Sequence, residues 1–383
     1  MRKNITYRPT WAEISLEAIR HNCSAIRDVL GEKVDIMAVV KANAYGHGIV
    51  EISKVLQKLK IKYLGVATLD EALVLRRAGI KVPVLILGSV LPREAETAVR
   101  NDITLTLCNN ELLRALGKLA GRKKRPRVHV KVDTGMGRIG VWHEDAVEFI
   151  REVKKDAHID IEGVYTHFSI AGRDKFFTQY QIDSFEKLLF ELENLEIRIP
   201  LRHAANSIAC MDWKKSHLNM VRPGLIVYGI YPKKNFPRRI KLDPAFSLKT
   251  RIVFLKKAPP GRSISYGRTY ITQSHTKIAS LPIGYADGYG RILSNRAEVL
   301  VKGHRAPVVG KVTMDQTMVD VGHIKNVKVG NEVVLIGGQK EDEIRIERLA
   351  RLAGTIPYEI VTGITSRVPR LYKFTSATKL STQ

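Results

Sequence analysis

The chain is poor in cysteine and has no long apolar run. Its three cysteines, Cys23, Cys108 and Cys210, are scattered and odd in number. They match neither a disulfide framework nor a metal-binding spacing, so a reducing, cytoplasmic setting is expected. No apolar stretch approaches the ~20 residues of a membrane-spanning helix, so no membrane role is expected. No apolar segment follows Arg2 and Lys3, so no secretory leader is expected either. Internal repeats and low-complexity segments are also missing. Acidic residues are scarce beside basic ones, 38 against 63, a net charge of +25. Such a charge can mark nucleic-acid binding. Here the basic residues are dispersed, and the densest runs, 121–127 and 237–241, read as loops without the interleaved aromatics of a stacking platform. A solvated basic surface that attracts small anions is the expectation, with no nucleic-acid partner.

What is present is a regular alternation. At 383 residues the chain exceeds a comfortable single core, so two domains are expected. Short apolar strands are predicted at 36–40, 63–66, 84–87, 103–107, 128–132, 161–166, 200–204 and 219–221. Amphipathic helices such as 70–78, 111–119, 143–153 and 178–192 lie between most of them, and 206–210 makes a short helix at best. Strand–helix alternation of this length predicts an α/β fold, a (β/α)8 barrel of the TIM type, with a doubly wound sheet as the second architecture. After residue 243 the pattern turns mostly β, with strands at 248–255, 277–281, 298–301, 308–312, 317–321 and 332–336 and one helix at 344–353. Residues 11–15 read as a strand that precedes the barrel and pairs with the second domain. The barrel is therefore expected over 12–243, and a mostly β domain over 1–11 and 244–383.

Barrel chemistry collects where strands end at the carboxyl face. The first predicted strand ends on Lys41, just before a tight turn into a helix. A lysine there either snorkels to solvent or, partly desolvated, serves as a base or Schiff-base amine. Later strand ends bring Lys131, Asp133 and Arg138, then His167, His203, Asn206 and Ser207, then Arg222, Gly224 and Leu225. Each has a bland alternative: His167 could be a satisfied core histidine, and Lys131 could simply pair with Asp133. Together they make a cationic bowl suited to phosphate, and barrels often bind phosphate through the loops after strands seven and eight. A Schiff-base lysine facing a phosphate site implies pyridoxal 5′-phosphate. The β domain adds polar, aromatic and Gly-rich turns around Tyr266, Tyr285, Tyr289, Met314 and Tyr358; for Tyr285 and Tyr289, simple packing is an equal reading.

The run Val39-Val40-Lys41-Ala42-Asn43-Ala44-Tyr45-Gly46-His47-Gly48 resembles the cofactor-lysine signature of pyridoxal-phosphate-dependent alanine racemases. The resemblance continues through Thr166-His167-Phe168, Asn206-Ser207, Arg222-Pro223-Gly224, Ser265-Tyr266-Gly267, Met314-Asp315-Gln316 and Arg367-Val368-Pro369-Arg370. It implies interconversion of L- and D-alanine, supplying D-alanine for peptidoglycan. Lys41 and Tyr266 would be the two bases. Tyr45, Asn206, Ser207, Gly224, Leu225 and Tyr358 would surround the cofactor and its phosphate, with Arg222 facing the pyridine nitrogen. His167 would link Arg222 to Tyr266. Arg138 and the N–H of Met314 would hold the substrate carboxylate, and Lys131 is a candidate for carbamylation. The family's homodimer would share its sites, with Tyr266 and Met314 acting in trans. Thr313 departs from the cysteine of many relatives but removes no catalytic group. A serine racemase of broad specificity is the alternative of the same fold. A decarboxylase would need a carboxylate at the pyridine nitrogen, an aldolase a site for a β-hydroxyl, and a non-catalytic pyridoxal-phosphate carrier would lack the β domain.

Overall fold

The structure, a computed structural model, describes residues 7–119, 125–232 and 240–374. Most of the two basic runs, 121–124 and 237–239, lies outside the described residues. Strands run in chain order through Asp35–Val39, Tyr63–Val66, Val84–Ile86, Ile103–Leu107, Arg127–Asp133, Asp160–Tyr165, Leu201–His203 and Met220–Val221. Each pairs in parallel with the next, and Met220 pairs back with Asp35, which closes the barrel. Closure rules out the open doubly wound sheet. Tyr63–Val66 and Val84–Ile86 read as unbroken apolar runs because helices cover the outer face and side chains fill the inner one. Met37, Tyr63, Leu85 and Met220 form a small apolar cluster of their own, apart from the main core.

The flanking helices start where side-chain acceptors permit. Ser15, Thr68, Asn109 and Asp174 each accept the N–H three residues on, satisfying one of the orphan donors of a first turn. The expected short helix near 206–210 is Ala209–Asp212.

Beyond the barrel lies a seven-stranded sheet with smaller three- and two-stranded sheets. Trp11–Ser15 pairs antiparallel with Phe246–Arg251 and parallel with Arg370–Lys373. The boundary expected after residue 11 therefore falls inside this strand, whose remaining residues hydrogen-bond in the C-terminal sheet. Two expected strands differ. The run 248–255 is split into Phe246–Arg251 and Phe254–Ala258, which belong to different sheets. The run 308–312 is a buried loop, and the strand is His304–Pro307. Gly310 turns the chain there with φ +74°, and a Cβ on it would meet the Ile264 carbonyl oxygen at 2.4 Å. Apolar residues 308, 309 and 312 face the core with a single bridge, Val308 to Val319, rather than a strand ladder, a difference that a strand pattern cannot show.

Candidate active site

Strand Asp35–Val39 delivers Lys41 to the barrel mouth just before a turn of unusual hand. Ala42, Asn43, Ala44 and Tyr45 have φ of 51°, 53°, 54° and 51°. Four successive residues with side chains are thus left-handed, at about 1–2 kcal/mol each. Surrounding bonds hold the turn. Asn43 Oδ1 accepts the Ile49 N–H at 2.8 Å. The His47 Nδ1–H donates to the carbonyls of Ala44 and Tyr45 at 3.0 and 2.8 Å. From the C-terminal domain, Arg370 Nε donates to Gly46 O at 3.0 Å. Burial, then Arg138, lowers the proton affinity of the Lys41 amine, while Glu71 opposes them.

Arg222 is buried at the centre of the mouth. Its Nη2 donates to Thr166 O at 2.6 Å and Ala204 O at 2.9 Å, with His167 Nδ1 at 3.3 Å. Its Nη1 donates to His203 Nδ1 at 2.7 Å. Arginine has no acceptor, so His203 carries its proton on Nε2 and donates it to His129 Nδ1 at 2.8 Å. His129 in turn carries its proton on Nε2. Tyr165 stacks on His203 with ring centroids 4.7 Å apart, and Arg222 lies 5.1 Å from the Tyr165 ring centroid. Gly163 makes room for this column, since a Cβ there would meet the His129 ring at 2.5 Å. Burial pulls the Arg222 guanidinium down to about 10, so it remains charged at neutral pH.

Lys131 and Arg138 form one side of the mouth. The Asp133 carboxylate accepts the N–H groups of Gly135, Met136, Gly137 and Arg138. It fixes the loop that carries Arg138. Lys131 is 2% exposed and donates to Val132 O at 2.6 Å. Burial is the main cause that brings its amine down to about 7, and Arg222 and Arg138 push the same way against Asp133.

Hydroxyls gather at the opposite side. The Tyr45 ring lies 5.8 Å from that of Tyr358. Ser207 Oγ accepts the Gly224 N–H at 2.9 Å, which leaves its own proton free to donate. A Cβ on Gly224 would come within 2.6 Å of Tyr45 Oη, so this cradle needs glycine. Asn206 Oδ1 accepts from Ile208 and Ala209, and Leu225 is fully buried beside Gly224. A cavity of about 440 Å³ joins Lys41, Tyr45, Lys131, Arg138, His167, Asn206, Ser207, Arg222, Gly224 and Tyr358. Amine, guanidinium and hydroxyl donors on different walls fit a phosphorylated pyridine aldehyde.

Tyr266 and Met314 are not part of this cavity. They lie in the C-terminal domain, 72% and 53% exposed. Tyr266 follows Ser265, whose φ of 63° and ψ of −172° are strained for a residue with a side chain. Ser265 Oγ anchors the loop by donating to Lys311 O at 2.6 Å. Met314 sits in a turn whose carbonyl accepts the Ala286 N–H at 3.1 Å. Arg367 braces that turn through Asp315 at 2.7 Å.

Three residues at this mouth escaped the sequence reading: Glu71, His129 and Tyr165. His129 had a signal. In Arg127-Val128-His129-Val130-Lys131-Val132-Asp133 polar residues alternate with valines, so His129 shares the inward face of Lys131. Glu71 had a weaker one, the capping-box spacing Thr68-x-x-Glu71. Tyr165 had none.

The model of the alanine racemase N-terminal domain matches residues 14–232, and that of the C-terminal domain matches 245–372. An alanine racemase of Halothermothrix orenii is 49% identical over 97% of this chain and 99% of its own length. One from Methanococcus maripaludis is 47% identical over 95% and 98%. Among solved structures, alanine racemase of Clostridium difficile 630 superposes with a TM-score of 0.91 at 42% identity, covering 97% of each chain. The Bacillus anthracis alanine racemase with bound L-Ala-P gives a TM-score of 0.91 at 39% identity, covering 97% of this chain and 96% of its own. With both domain models matched in order and the barrel mouth built as described, the chain belongs to the alanine racemase family.

Proposed function

We propose that the protein interconverts L- and D-alanine with pyridoxal 5′-phosphate, each site being formed by two copies of the chain. One cavity carries this reading, because it brings together the Lys41 amine, the Arg222 guanidinium and the hydroxyls of Tyr45, Ser207 and Tyr358. Lys41 would hold the cofactor covalently. The hydroxyls, with Asn206, Gly224 and Leu225, would surround its phosphate end, and Arg222 would face its ring nitrogen. When bound, the cofactor supplies an electron sink for the bond to the α-proton.

Inversion requires a proton taken from one face of the α-carbon and one returned to the other. Lys41 serves one face, its lowered proton affinity favouring the neutral amine a base needs. Tyr266 of a second copy serves the other; it is exposed and lies outside its own chain's cavity. Phe177, beside the Arg138 loop, and Trp142, Phe176 and Tyr180 leave exposed apolar surface for that copy to cover. His167 links Arg222 to that Tyr266. Arg138 and the Met314 N–H hold the substrate carboxylate. Lys131 carries a carbamate: its amine is brought to about 7, so a neutral form can add carbon dioxide, and the resulting anion offsets Arg138 and Arg222. A carbon-13 carbamate signal that persists in Lys131→Met would refute that part.

The setting is the cytoplasm and the product serves peptidoglycan; among the described residues no helix is long and apolar enough to cross a membrane. The test is the purified protein's visible spectrum, borohydride fixation of the cofactor, and circular dichroism of L-alanine. Cofactor fixed to the Lys41 peptide and inversion of L-alanine are expected. Label on Lys131, or bound cofactor without inversion, overturns the reading. Faster inversion of serine would favour a racemase of broader specificity.

A further inference from the structure

The left-handed turn after Lys41 supplies most of its own hydrogen bonds. The N–H groups of Ala44, Gly46 and Gly48 reach the carbonyls of Val40, Ala42 and Asn43 at 2.8, 2.9 and 2.9 Å. The N–H of Ala42, the residue next to Lys41, is satisfied from outside. Its acceptor is Glu71 Oε1 at 2.6 Å. The other oxygen, Oε2, accepts the Ala67 N–H at 2.8 Å. Ala67 follows the neighbouring barrel strand, Tyr63–Val66, and lines the same cavity as Lys41. Glu71 stands where a capping box would turn its side chain back to the N–H of Thr68. Instead, one carboxylate bridges two strand ends through charge-assisted bonds.

We propose that Glu71 is a positioning residue for Lys41: it ties the left-handed turn to the adjacent strand end and keeps an anion beside the lysine amine. This rests on the reading of Lys41 as the cofactor lysine. Around that amine stand Arg138 and His167 on the cavity side and Glu71 on the helix side, and Tyr45, Lys131, Tyr165, Arg222 and Tyr358 line the same cavity. Glu71 also faces the phenol of Tyr228, which closes the underside of the turn by donating to Val39 O at 2.8 Å. Burial and Arg138 both disfavour the ammonium form, and Glu71 opposes them. The carboxylate therefore does two separable things, one geometric and one electrostatic.

Glu71→Gln removes the anion and, through its NH2 group, one of the two acceptors. The test is the pH dependence of Lys41 acetylation by trace acetic anhydride in the cofactor-free full chain, read by mass spectrometry. Loss of the anion lowers the amine's proton affinity, so the midpoint should fall by about one pH unit. In the loaded enzyme the acid limb of kcat/KM should move the same way. An unmoved midpoint in a folded Glu71→Gln protein overturns the electrostatic role. Glu71→Asp keeps the charge but, one methylene shorter, reaches only one amide. It should leave the midpoint in place and speed hydrogen exchange at whichever of Ala42 and Ala67 it releases. Unchanged exchange at both Ala42 and Ala67 overturns the bridge, and this variant serves if the glutamine form does not fold. Borohydride fixation in the wild-type protein checks the identity of the cofactor lysine independently of both.

Discussion

The barrel mouth and the Tyr266 face of the C-terminal domain are built on opposite plans. At the mouth, functional side chains are buried and bonded to one another. Arg222 alone is held by two carbonyls and two histidines. On the C-terminal face, Tyr266 and Met314 are exposed, on loops anchored through Ser265 and through the Met314 carbonyl. The mouth joins a lysine, a guanidinium and a cluster of hydroxyls, and Tyr266 does not line it. The face has an exposed phenol on a strained loop. A buried network presets geometry within one chain, whereas an exposed one is completed by what covers it. The contrast is what the proposed pairing of two copies requires: one chain would hold two halves of different sites.

The sharpest way to break this comparison is to remove one half at a time. Tyr266→Phe should lower racemisation by about two to four orders of magnitude, the usual cost of losing a general base. Its cofactor spectrum should stay intact, because nothing in the cavity changes. Lys41→Ala should abolish both activity and covalent retention of the cofactor. Mixing Lys41→Ala with Tyr266→Ala subunits should then restore part of the activity, since one site in the mixed pair has both bases. No recovery after proven subunit exchange would mean that both bases come from one chain, and the comparison would fail.

A smaller change tests the buried half by itself. Arg222→Glu replaces a donor-only group with an acceptor where the proposed function puts the cofactor's ring nitrogen. It also leaves His203 Nδ1 without its donor. Retained cofactor, lost racemisation and new transamination of alanine are expected, read by visible spectrum and product analysis. Racemase activity equal to that of the wild type, with no amine form of the cofactor, would refute the role of the guanidinium. Exposed Tyr266 in the same variant should remain where it is, because among the described residues the Arg222 side chain hydrogen-bonds only to His203, Thr166, His167 and Ala204 of the barrel.

The two plans also explain what could be read from sequence. Lys41, Lys131, His167 and Arg222 were visible because a polar residue at the end of an apolar strand stands out, and a barrel places such ends together. The closure of the barrel followed from strand–helix alternation. The left-handed hand of the turn at Ala42 to Tyr45 was not readable, because alanine has no preference for that region and the conformation is imposed by Asn43, His47, Glu71 and Arg370. Glu71 was hidden because its partners, Ala42 and Ala67, are backbone amides, and one lies 29 residues away. In the C-terminal domain, core-facing loops and strands carry the same residues, so 308–312 passed for a strand.

The last test concerns acid, to which the two regions should respond unequally. The barrel buries His47, His129 and His203 completely. Burial, reinforced by nearby cations, brings His47 down to about 4 and His129 to about 3, and holds His203 well below the ordinary value. The C-terminal domain's His275, His304 and His323 are exposed. In the unfolded chain each barrel histidine gains a proton as pH falls through about 6.5. The folded chain resists until near 4 or 3 for His47 and His129. The unfolded state therefore binds more protons in that window, so stability is full above about 6.5 and declines as pH drops below it. Between pH 7 and 5.5 each such histidine should remove roughly 1 kcal/mol. Hydrogen exchange, corrected for the intrinsic pH effect, reads this by region. Amides of Arg127–Asp133 and Leu201–His203 should lose protection by on the order of 100-fold if three histidines act together, while those of Glu298–Val301 and Glu332–Gln339 lose far less. His129→Gln should recover about one histidine's share. Equal loss in both regions would show that barrel and C-terminal sheet, sharing Trp11–Ser15, open as a single unit, and that their difference in acid response does not survive the joint.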